Sequence, residues 1–438
     1  MIFGKKIGIL GAAKSGISAA RLAVEMGYEV LLSDVDKNKK INSSLEKKIN
    51  VELGYHSSLI LDCDIIIVSP GIPPNVPVIK NAVSKKIPII SEVEFASWFT
   101  KSKILTVTGS NGKSTSVSIL NEIFSKSKYS SFLGGNIGVP FSENVLLEKN
   151  TKNGSPFIHI LELSSFQIER LDKFHSISGC ILNLSEDHLD RYKSMNEYAN
   201  AKIKLAKHCD IFYYDSSSKE LTDQLENYKN SYPVNSNEYF YIQNNAIYIK
   251  KTNEILFHIN ETSLIGSHNL MNAFYASIIA RSIGVNNKSI IKGVLNFKPL
   301  SHRLEKIDCR SKINFYNDSK STNIKSTIKA LNSFDENVVL ILGGRDKGSD
   351  FSKLRNSLSC VKKVFCYGEH GKEILKLLKR YTSIEYLNKF DECIKAAIQF
   401  AKIGYNVLLS PACSSFDQFE NYEERGDVFR EIIYKSYE

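Results

Sequence analysis

What this sequence lacks narrows it first. No pair among its eight cysteines, at 63, 180, 209, 309, 360, 366, 393 and 413, has Cys-x-x-Cys spacing. That argues against a thioredoxin-type redox pair and a paired-cysteine zinc site. Several of these cysteines, such as Cys180 and Cys366, sit in apolar runs and read as buried reduced thiols of a cytoplasmic protein. No run of eighteen apolar residues occurs, so no membrane span is expected. Lys14 interrupts the apolar stretch that follows Lys5-Lys6, so a secretory leader is not expected either. The formal charge is +10, from 57 Lys+Arg against 47 Asp+Glu, but no block of five or six basic residues forms. Scattered lysines read as solvated helix faces, with some bias toward anionic substrates and no nucleic-acid partner. Internal repeats and low-complexity tracts are also missing, which argues against a solenoid.

What is present is a phosphate-binding signature. The run Ile104-Leu105-Thr106-Val107-Thr108 reads as a buried strand, and Gly109-Ser110-Asn111-Gly112-Lys113-Ser114-Thr115 follows, opening a helical pattern. Backbone N–H groups of such a turn wrap an anion, and the helix N-terminus adds partial positive charge. Lys113 would reach the outer phosphates and the Ser114 hydroxyl would hold Mg²⁺. The usual loop has four residues between its glycines; here only Ser110 and Asn111 separate Gly109 from Gly112.

A chain of 438 residues has room for several domains, and three α/β domains are expected. Residues 1–98 read as a Rossmann-like N-terminal domain. Its strands are Lys6 to Leu10, Glu29 to Ser33 and Asp64 to Val68, with a helix from Gly16 to Met26. Gly11-Ala12-Ala13-Lys14-Ser15-Gly16 is a damaged dinucleotide fingerprint, with Ala13 where the pyrophosphate needs a glycine. NAD binding is therefore not expected. Asp34 follows at the place of a ribose-binding acid, though a strand-end turn former reads equally well. Residues 99–299 read as a central P-loop ATPase-type mononucleotide-binding domain, with strands Phe157 to Leu163 and Gly179 to Leu184 and short strands and turns around 211–262. Residues 300–438 read as a Rossmann-like C-terminal domain. Strands Asn314 to Asn317, Val338 to Leu342, Lys363 to Tyr367 and Asn406 to Ser410 alternate there with helices Lys372 to Lys379 and Glu392 to Lys402. Such alternation gives a parallel sheet covered on both faces, with ligands beyond the carboxyl ends of its strands.

Chemistry-bearing residues fall at those ends. Glu162 sits inside an apolar strand, where an unpaired carboxylate is costly, so it needs either a salt-bridge partner or Mg²⁺. His188 follows the strand Ile181 to Leu184 and reads either as a ligand or as a structural histidine. Lys202 shares one face of a helix from Asn196 to His208 with Tyr198, Leu205 and Cys209. Snorkelling is its plain reading; a desolvated amine open to modification is the sharper one. Arg303, Asp318, Lys320 and Lys347 gather at strand ends of the last domain, suited to phosphate and carboxylate.

In this order the motifs resemble the Mur ligase family of bacterial cell-wall synthesis, over essentially the whole chain. The strings include Thr108-Gly109-Ser110-Asn111-Gly112-Lys113-Ser114-Thr115, whose short loop is normal for that family, and Leu161-Glu162-Leu163-Ser164-Ser165-Phe166-Gln167. Others are Glu186-Asp187-His188-Leu189-Asp190-Arg191, Asn317-Asp318-Ser319-Lys320 and Ser410-Pro411-Ala412-Cys413-Ser414-Ser415-Phe416-Asp417.

The resemblance implies an ATP-dependent, ADP-forming ligase joining D-glutamate to UDP-N-acetylmuramoyl-L-alanine through an acyl phosphate and a tetrahedral intermediate. Lys113, Glu162, His188 and Lys202 would be its catalytic residues. Two Mg²⁺ sites would use Ser114 and Glu162, and His188 with a carbamoylated Lys202. ATP would be held by Gly109 to Thr115, Asn269 or Asn272, Arg303, Asp318 and Lys320. The UDP moiety would meet Ser15, Asp34, Gly71 and Asn136. D-Glutamate would meet Thr322, Lys347, Ser415, Phe416 and Tyr422, the last where the family often has Phe. The C-terminal domain would close on ATP and D-glutamate, in a cytoplasmic monomer. Folate-type ligases of the superfamily begin near the phosphate loop, and diaminopimelate-adding ones carry an Asp-Asn-Pro-Arg string, absent here. An inactive nucleotide-binding regulator would not need to keep Lys113, Glu162, His188 and Lys202.

Overall fold

The computed structural model describes residues 4–151, 154–185, 191–346 and 348–437. Its chain forms two compact units: Met1–His258 with Met271–Phe297, and Ile259–Leu270 with Lys298–Glu438.

The first unit holds two parallel sheets. Strands β1 (Lys6–Leu10), β2 (Glu29–Asp34), β3 (Asn50–Leu53), β4 (Ile65–Val68) and β5 (Ile89–Ser91) stand in the order β3-β2-β1-β4-β5. β1 and β4 are almost wholly apolar and buried, as strands covered on both faces must be. Gly11 turns the chain out of β1 at φ +97°, and helix Lys14–Glu25 packs so closely that a Cβ on Gly16 would stand 1.8 Å from the Gly11 carbonyl oxygen. The fingerprint thus keeps its packing glycine although Ala13 replaces the middle one.

Strands β6 (Lys103–Thr108), β7 (Ser130–Gly135), β8 (Phe157–Glu162), β9 (Ser176–Ile181), β10 (Cys209–Tyr214) and β11 (Ser231–Pro233) form the second sheet, ordered β11-β10-β9-β6-β8-β7. One continuous apolar cluster joins the two sheets, from Ile7 and Leu32 through Phe95 and Phe141 to Leu161 and Phe212. Arg21 adds a bidentate pair with Glu143, both contacts at 2.8 Å. An antiparallel three-stranded sheet, β12 (Phe240–Gln243), β13 (Ala246–Ile249) and β14 (Ile255–His258), follows.

In the second unit β15 (Glu305–Ile307), β16 (Asn314–Asn317), β17 (Val338–Gly343), β18 (Val361–Tyr367), β19 (Ile384–Leu387) and β20 (Asn406–Ala412) stand in the order β15-β16-β20-β17-β18-β19.

The sheets match the expected α/β architecture, with four local corrections. The strand expected at Gly179 to Leu184 runs Ser176–Ile181. Its start is masked in sequence by Ser176 and Ser178, which are fully buried; Ser176 Oγ donates to Ile104 O at 2.9 Å. The helix expected through His208 is α-helical only over Met195–Ile203 and tightens to 3₁₀ over Lys204–His208. The stretch 211–262 includes a helix, Lys219–Leu225. The last sheet is not wholly parallel, because the edge strand β15 pairs antiparallel with β16. The eight cysteines are free, and all but Cys309 are buried.

Candidate active site

The phosphate loop forms as its glycines require. Gly109 has φ +144° and Gly112 φ +85°, both unfavourable for other residues, and Gly112 caps helix Lys113–Ser125. A Cβ on Gly112 would stand 2.3 Å from Asn272 Oδ1, so a larger residue would also displace that amide. The segment after β9 fixes the loop from below. Ser110 N donates to Asn183 O at 3.0 Å, Asn111 N to Asn183 Oδ1 at 3.0 Å, and Ser185 N to Ser110 Oγ at 2.9 Å. Lys113 Nζ lies back over the loop, donating to Gly109 O at 2.8 Å and Ser110 O at 3.0 Å. A cation thus stands beside the helix N-terminus, where anions are favoured. Thr115 continues the first turn of that helix.

Glu162 ends β8, level with Val107 of β6, and is buried. Its Oε2 accepts from Ser114 Oγ at 2.6 Å and its Oε1 from Asn136 Nδ2 at 2.9 Å. Among the described residues no cationic side chain pairs with it, so the salt-bridge reading is not met. Asn136, grouped by resemblance with the UDP residues, is a Glu162 partner here and does not line the cleft described below.

Lys202 is 2% exposed, which rules out snorkelling. Its Nζ donates to Gly109 O at 3.0 Å and lies 4.8 Å from the Tyr198 ring centroid. Tyr198 OH is in turn 3.2 Å from Ser110 Oγ. Lys113, Ser114, Glu162 and Lys202 therefore converge on one loop. His188 lies outside the described residues. Among those described, no group of three His, Cys, Asp or Glu side chains is placed to hold a metal ion.

Of the paired asparagines, Asn272 reaches the loop region, where its Oδ1 accepts from Ser116 Oγ at 3.3 Å. Asn269 Nδ2 instead donates to Ile265 O at 2.8 Å, in the second unit.

A cleft of about 650 Å³ opens beyond the carboxyl ends of the first sheet, lined in part by Gly11, Asp34, His56, Gly71, Ile72 and Asn81. Asp34 meets its turn-former reading and also stands at the cleft. Its Oδ1 accepts from Asp36 N at 2.9 Å, as a turn former does, and its Oδ2 from Ala12 N at 2.6 Å while the residue lines the cleft. Ser15 Oγ is 3.4 Å from Ser69 Oγ, which itself lies 3.4 Å from Gly11 O.

The second unit assembles its own cluster. Asp318 is buried at the end of β16, accepting from Leu304 N at 3.1 Å and Ser410 Oγ at 2.8 Å. Burial pushes its carboxyl up to about 6, against the pull of those hydrogen bonds and of Arg303. Arg303 sits between His302 at φ +63° and Leu304 at φ +48°. His302 N donates to Glu305 Oε2 at 2.9 Å and Leu304 N to Asp318, which hold this strained turn in place. Lys320 Nζ donates to Tyr422 OH at 2.6 Å. Thr322 and Phe416 are exposed and Ser415 is buried on neighbouring loops; Lys347 lies outside the described residues.

Two residues escaped the sequence reading. Asn183 sits between recognised motifs, and its anchoring of the loop leaves no spacing signal. Arg425 lies in the run Glu423-Glu424-Arg425-Gly426-Asp427, which reads as a solvated surface, yet it is fully buried.

The chain matches the MurD-like N-terminal domain of Mur ligases over residues 5–91, the Mur ligase middle domain over 107–280 and the Mur ligase glutamate ligase domain over 302–413. It is 39% identical to a protein of Elusimicrobium minutum named UDP-N-acetylmuramoylalanine–D-glutamate ligase, covering 99% of this chain and 98% of that one. A protein of the same name from Christiangramia forsetii is 37% identical, over 98% and 99% of the two chains. The solved UDP-N-acetylmuramate-alanine ligase of Thermotoga maritima shares the fold, with TM-score 0.61 and 19% identity over 98% of this chain and 99% of that one. So does the MurF ligase of the same organism in complex with ADP, with TM-score 0.61 and 15% identity over 97% and 95%.

Proposed function

The chain belongs to the Mur ligase family, and we infer that it joins D-glutamate to UDP-N-acetylmuramoyl-L-alanine, converting ATP to ADP and phosphate in peptidoglycan precursor synthesis. The observation that carries this reading is near-full-length identity to relatives named for that reaction, in a chain whose phosphate loop and Glu162 are built for nucleotide chemistry.

The alanyl carboxylate attacks the γ-phosphate, giving an acyl phosphate and ADP. The D-glutamate amine then adds to the acyl carbon, and the tetrahedral intermediate expels phosphate. Most of the work asked of the protein is positioning and charge stabilisation. Loop N–H groups and Lys113 face the charge that develops on the transferring phosphoryl group. Lys113 would exchange its contacts with Gly109 O and Ser110 O for phosphate oxygens.

The donor set at Ser114 and Glu162 fits Mg²⁺. Two hard oxygen donors meet in a buried place where, among the described residues, the carboxylate has only neutral partners. Bound there, Mg²⁺ would neutralise phosphate charge. His188 and Lys202 would serve a second ion. An ammonium does not ligate a cation, so Lys202 would act as its carbamate, and burial at the loop supports that modification.

Ser15, Asp34, Gly71 and Asn136 would hold the UDP moiety; Asp34 and Gly71 line the cleft of the first sheet, while Ser15 and Asn136 lie outside its lining. Asn269 or Asn272, Arg303, Asp318 and Lys320 would serve ATP, and Thr322, Lys347, Ser415, Phe416 and Tyr422 would receive D-glutamate. Domains at 1–98, 99–299 and 300–438 are supported by the matched segments, each of which falls inside one of them. Nucleotide substrates and free thiols favour a cytoplasmic enzyme, and no described helix is long and apolar enough to cross a membrane. It would act as a monomer whose C-terminal domain closes on ATP and D-glutamate.

The test follows phosphate release with ATP, Mg²⁺, UDP-N-acetylmuramoyl-L-alanine and a panel of amino acids. Stimulation by D-glutamate above all others is expected; stimulation by another amino acid alone, or by none, overturns the reading.

A further inference from the structure

Among the polar groups of the cleft that no motif singles out, His56 is held by a buried network. β2 and β3 place Ser33 opposite Glu52, and both side chains are buried. Ser33 Oγ is 3.1 Å from Glu52 Oε2, 3.2 Å from Tyr55 O and 2.7 Å from His56 Nδ1. Glu52 is fixed from its other side by Ser57, whose N–H donates to Oε2 at 3.2 Å and whose hydroxyl donates to Oε1. His56 itself lines the cleft with Asp34 and Gly71.

This arrangement favours one tautomer of His56. A serine hydroxyl has one hydrogen to give, and a carboxylate and a carbonyl oxygen accept only. With the Ser33 hydrogen directed to Glu52 Oε2 or Tyr55 O, Ser33 Oγ is the acceptor for His56. The ring proton then sits on Nδ1, and Nε2 is a bare acceptor. Burial lowers the ring's proton affinity against the opposing pull of Asp34 and Glu52, so the neutral form prevails near pH 7. Among the described residues Nε2 has no protein hydrogen-bond partner.

We propose that His56 is a specificity residue for the nucleobase, its Nε2 accepting the N3–H of uracil. The proposal rests on the reading that this cleft holds the UDP end of the substrate. Uracil presents a donor at N3, whereas cytosine presents a lone pair. Cytosine would set acceptor against acceptor, the mismatch that polar sites reject most strongly. Val35, Ile72 and Pro73 line the same cleft and supply apolar surface for a flat ring. A merely structural histidine would affect stability without altering the choice between bases.

Calorimetric titration of the full chain with UDP and with CDP tests this, alongside His56→Ala, His56→Gln and Asp34→Ala. The wild type should bind UDP at least tenfold more tightly than CDP. His56→Ala should weaken UDP roughly tenfold, the scale of one lost hydrogen bond, and bring the UDP/CDP ratio toward unity. His56→Gln, whose amide offers both a donor and an acceptor, should keep the fold and narrow the ratio. Asp34→Ala weakening UDP while both His56 variants keep the wild-type affinity and ratio overturns the His56 assignment alone. UDP affinity unchanged in all three variants overturns the cleft reading as well.

Discussion

Lys320 and Tyr422 meet twice: Nζ donates to the phenolic oxygen at 2.6 Å and stands 3.9 Å from the ring centroid. The ring contact alone would survive with phenylalanine, the residue common at this place in the resembling family. The hydroxyl adds a charge-assisted hydrogen bond between a residue proposed for ATP and one proposed for D-glutamate. Tyr422→Phe should therefore leave the KM for D-glutamate within about twofold while the KM for ATP rises by roughly three- to tenfold, one hydrogen bond's worth. Steady-state kinetics with each substrate varied in turn distinguish this from a shared loss.

Glu162 is a buried carboxylate held by two neutral donors, Ser114 and Asn136. Were it a structural acid, neutralising it would cost stability. Were it a cation ligand, neutralising it would abolish turnover and relieve a buried charge. Glu162→Gln is expected to lower phosphate release by roughly a hundredfold or more. Its thermal midpoint should stay at or above that of the wild type. A lowered midpoint with activity retained would return Glu162 to the structural class.

Much of this was legible in the sequence because the determinants are local. Phosphate-loop glycines, a Lys-Ser-Thr helix start and apolar β-branched strands announce themselves within a few residues. Lys202 shows where legibility ends. Its helical face was readable from Tyr198 and Leu205, but whether its Nζ reached solvent depended on Gly109, far away in the chain. The Ser176–Ile181 strand was misplaced because small buried hydroxyls satisfied by neighbouring backbone look like loop residues. Arg425 was invisible because its burial comes from tertiary contact alone.

Lys202→Ala removes the buried amine beside the loop. Ligase activity should collapse, and if the lysine works as a carbamate, formate or acetate should restore part of it by supplying a small carboxylate. Mass spectrometry of the intact wild type under bicarbonate gives a second readout, a labile carbon dioxide adduct that the variant lacks. Full activity in the variant would remove Lys202 from the chemistry.

Arg425 is fully buried with four neutral acceptors. It donates from Nε to Ser319 Oγ at 2.9 Å, from Nη2 to Ser319 O at 2.7 Å, and from Nη1 to Cys413 O at 3.1 Å and Tyr367 OH at 3.3 Å. Its fork thus ties the loop after β16 to the end of β20. Lysine keeps the charge but not the planar fork. Arg425→Lys should destabilise the chain by about 2–4 kcal/mol, because buried acceptors lose their donors. Chemical denaturation of the second unit's transition reads this directly.

The last prediction concerns pH and a pair of buried glutamates two residues apart in the helix Glu92–Ser97. Glu94 is fully satisfied, accepting from Trp98 Nε1 at 2.7 Å and from the backbone N–H groups of Asp172, Lys173 and Phe174 at 2.9–3.0 Å. Glu92 is not: Ser142 N donates to its Oε1, while Oε2 is buried with no partner among the described residues. Burial pushes its carboxyl from 4.5 up to about 7, outweighing the Ser142 hydrogen bond. Between those values the unfolded chain releases the proton and the folded chain keeps it. Stability from this group is therefore complete below about 4.5 and is lost as pH rises through about 7. The shift corresponds to roughly 3 kcal/mol over that window. Glu92→Gln should match the wild type near pH 4.5 and exceed it in unfolding free energy above pH 7. Because Glu92 holds the start of helix Phe141–Asn150 against the first sheet, the gain should appear in the transition of the first unit. Denaturant midpoints of both proteins at pH 5 and pH 8 decide it, and a gap that stays constant between the two would show that Glu92 is already ionised in the fold.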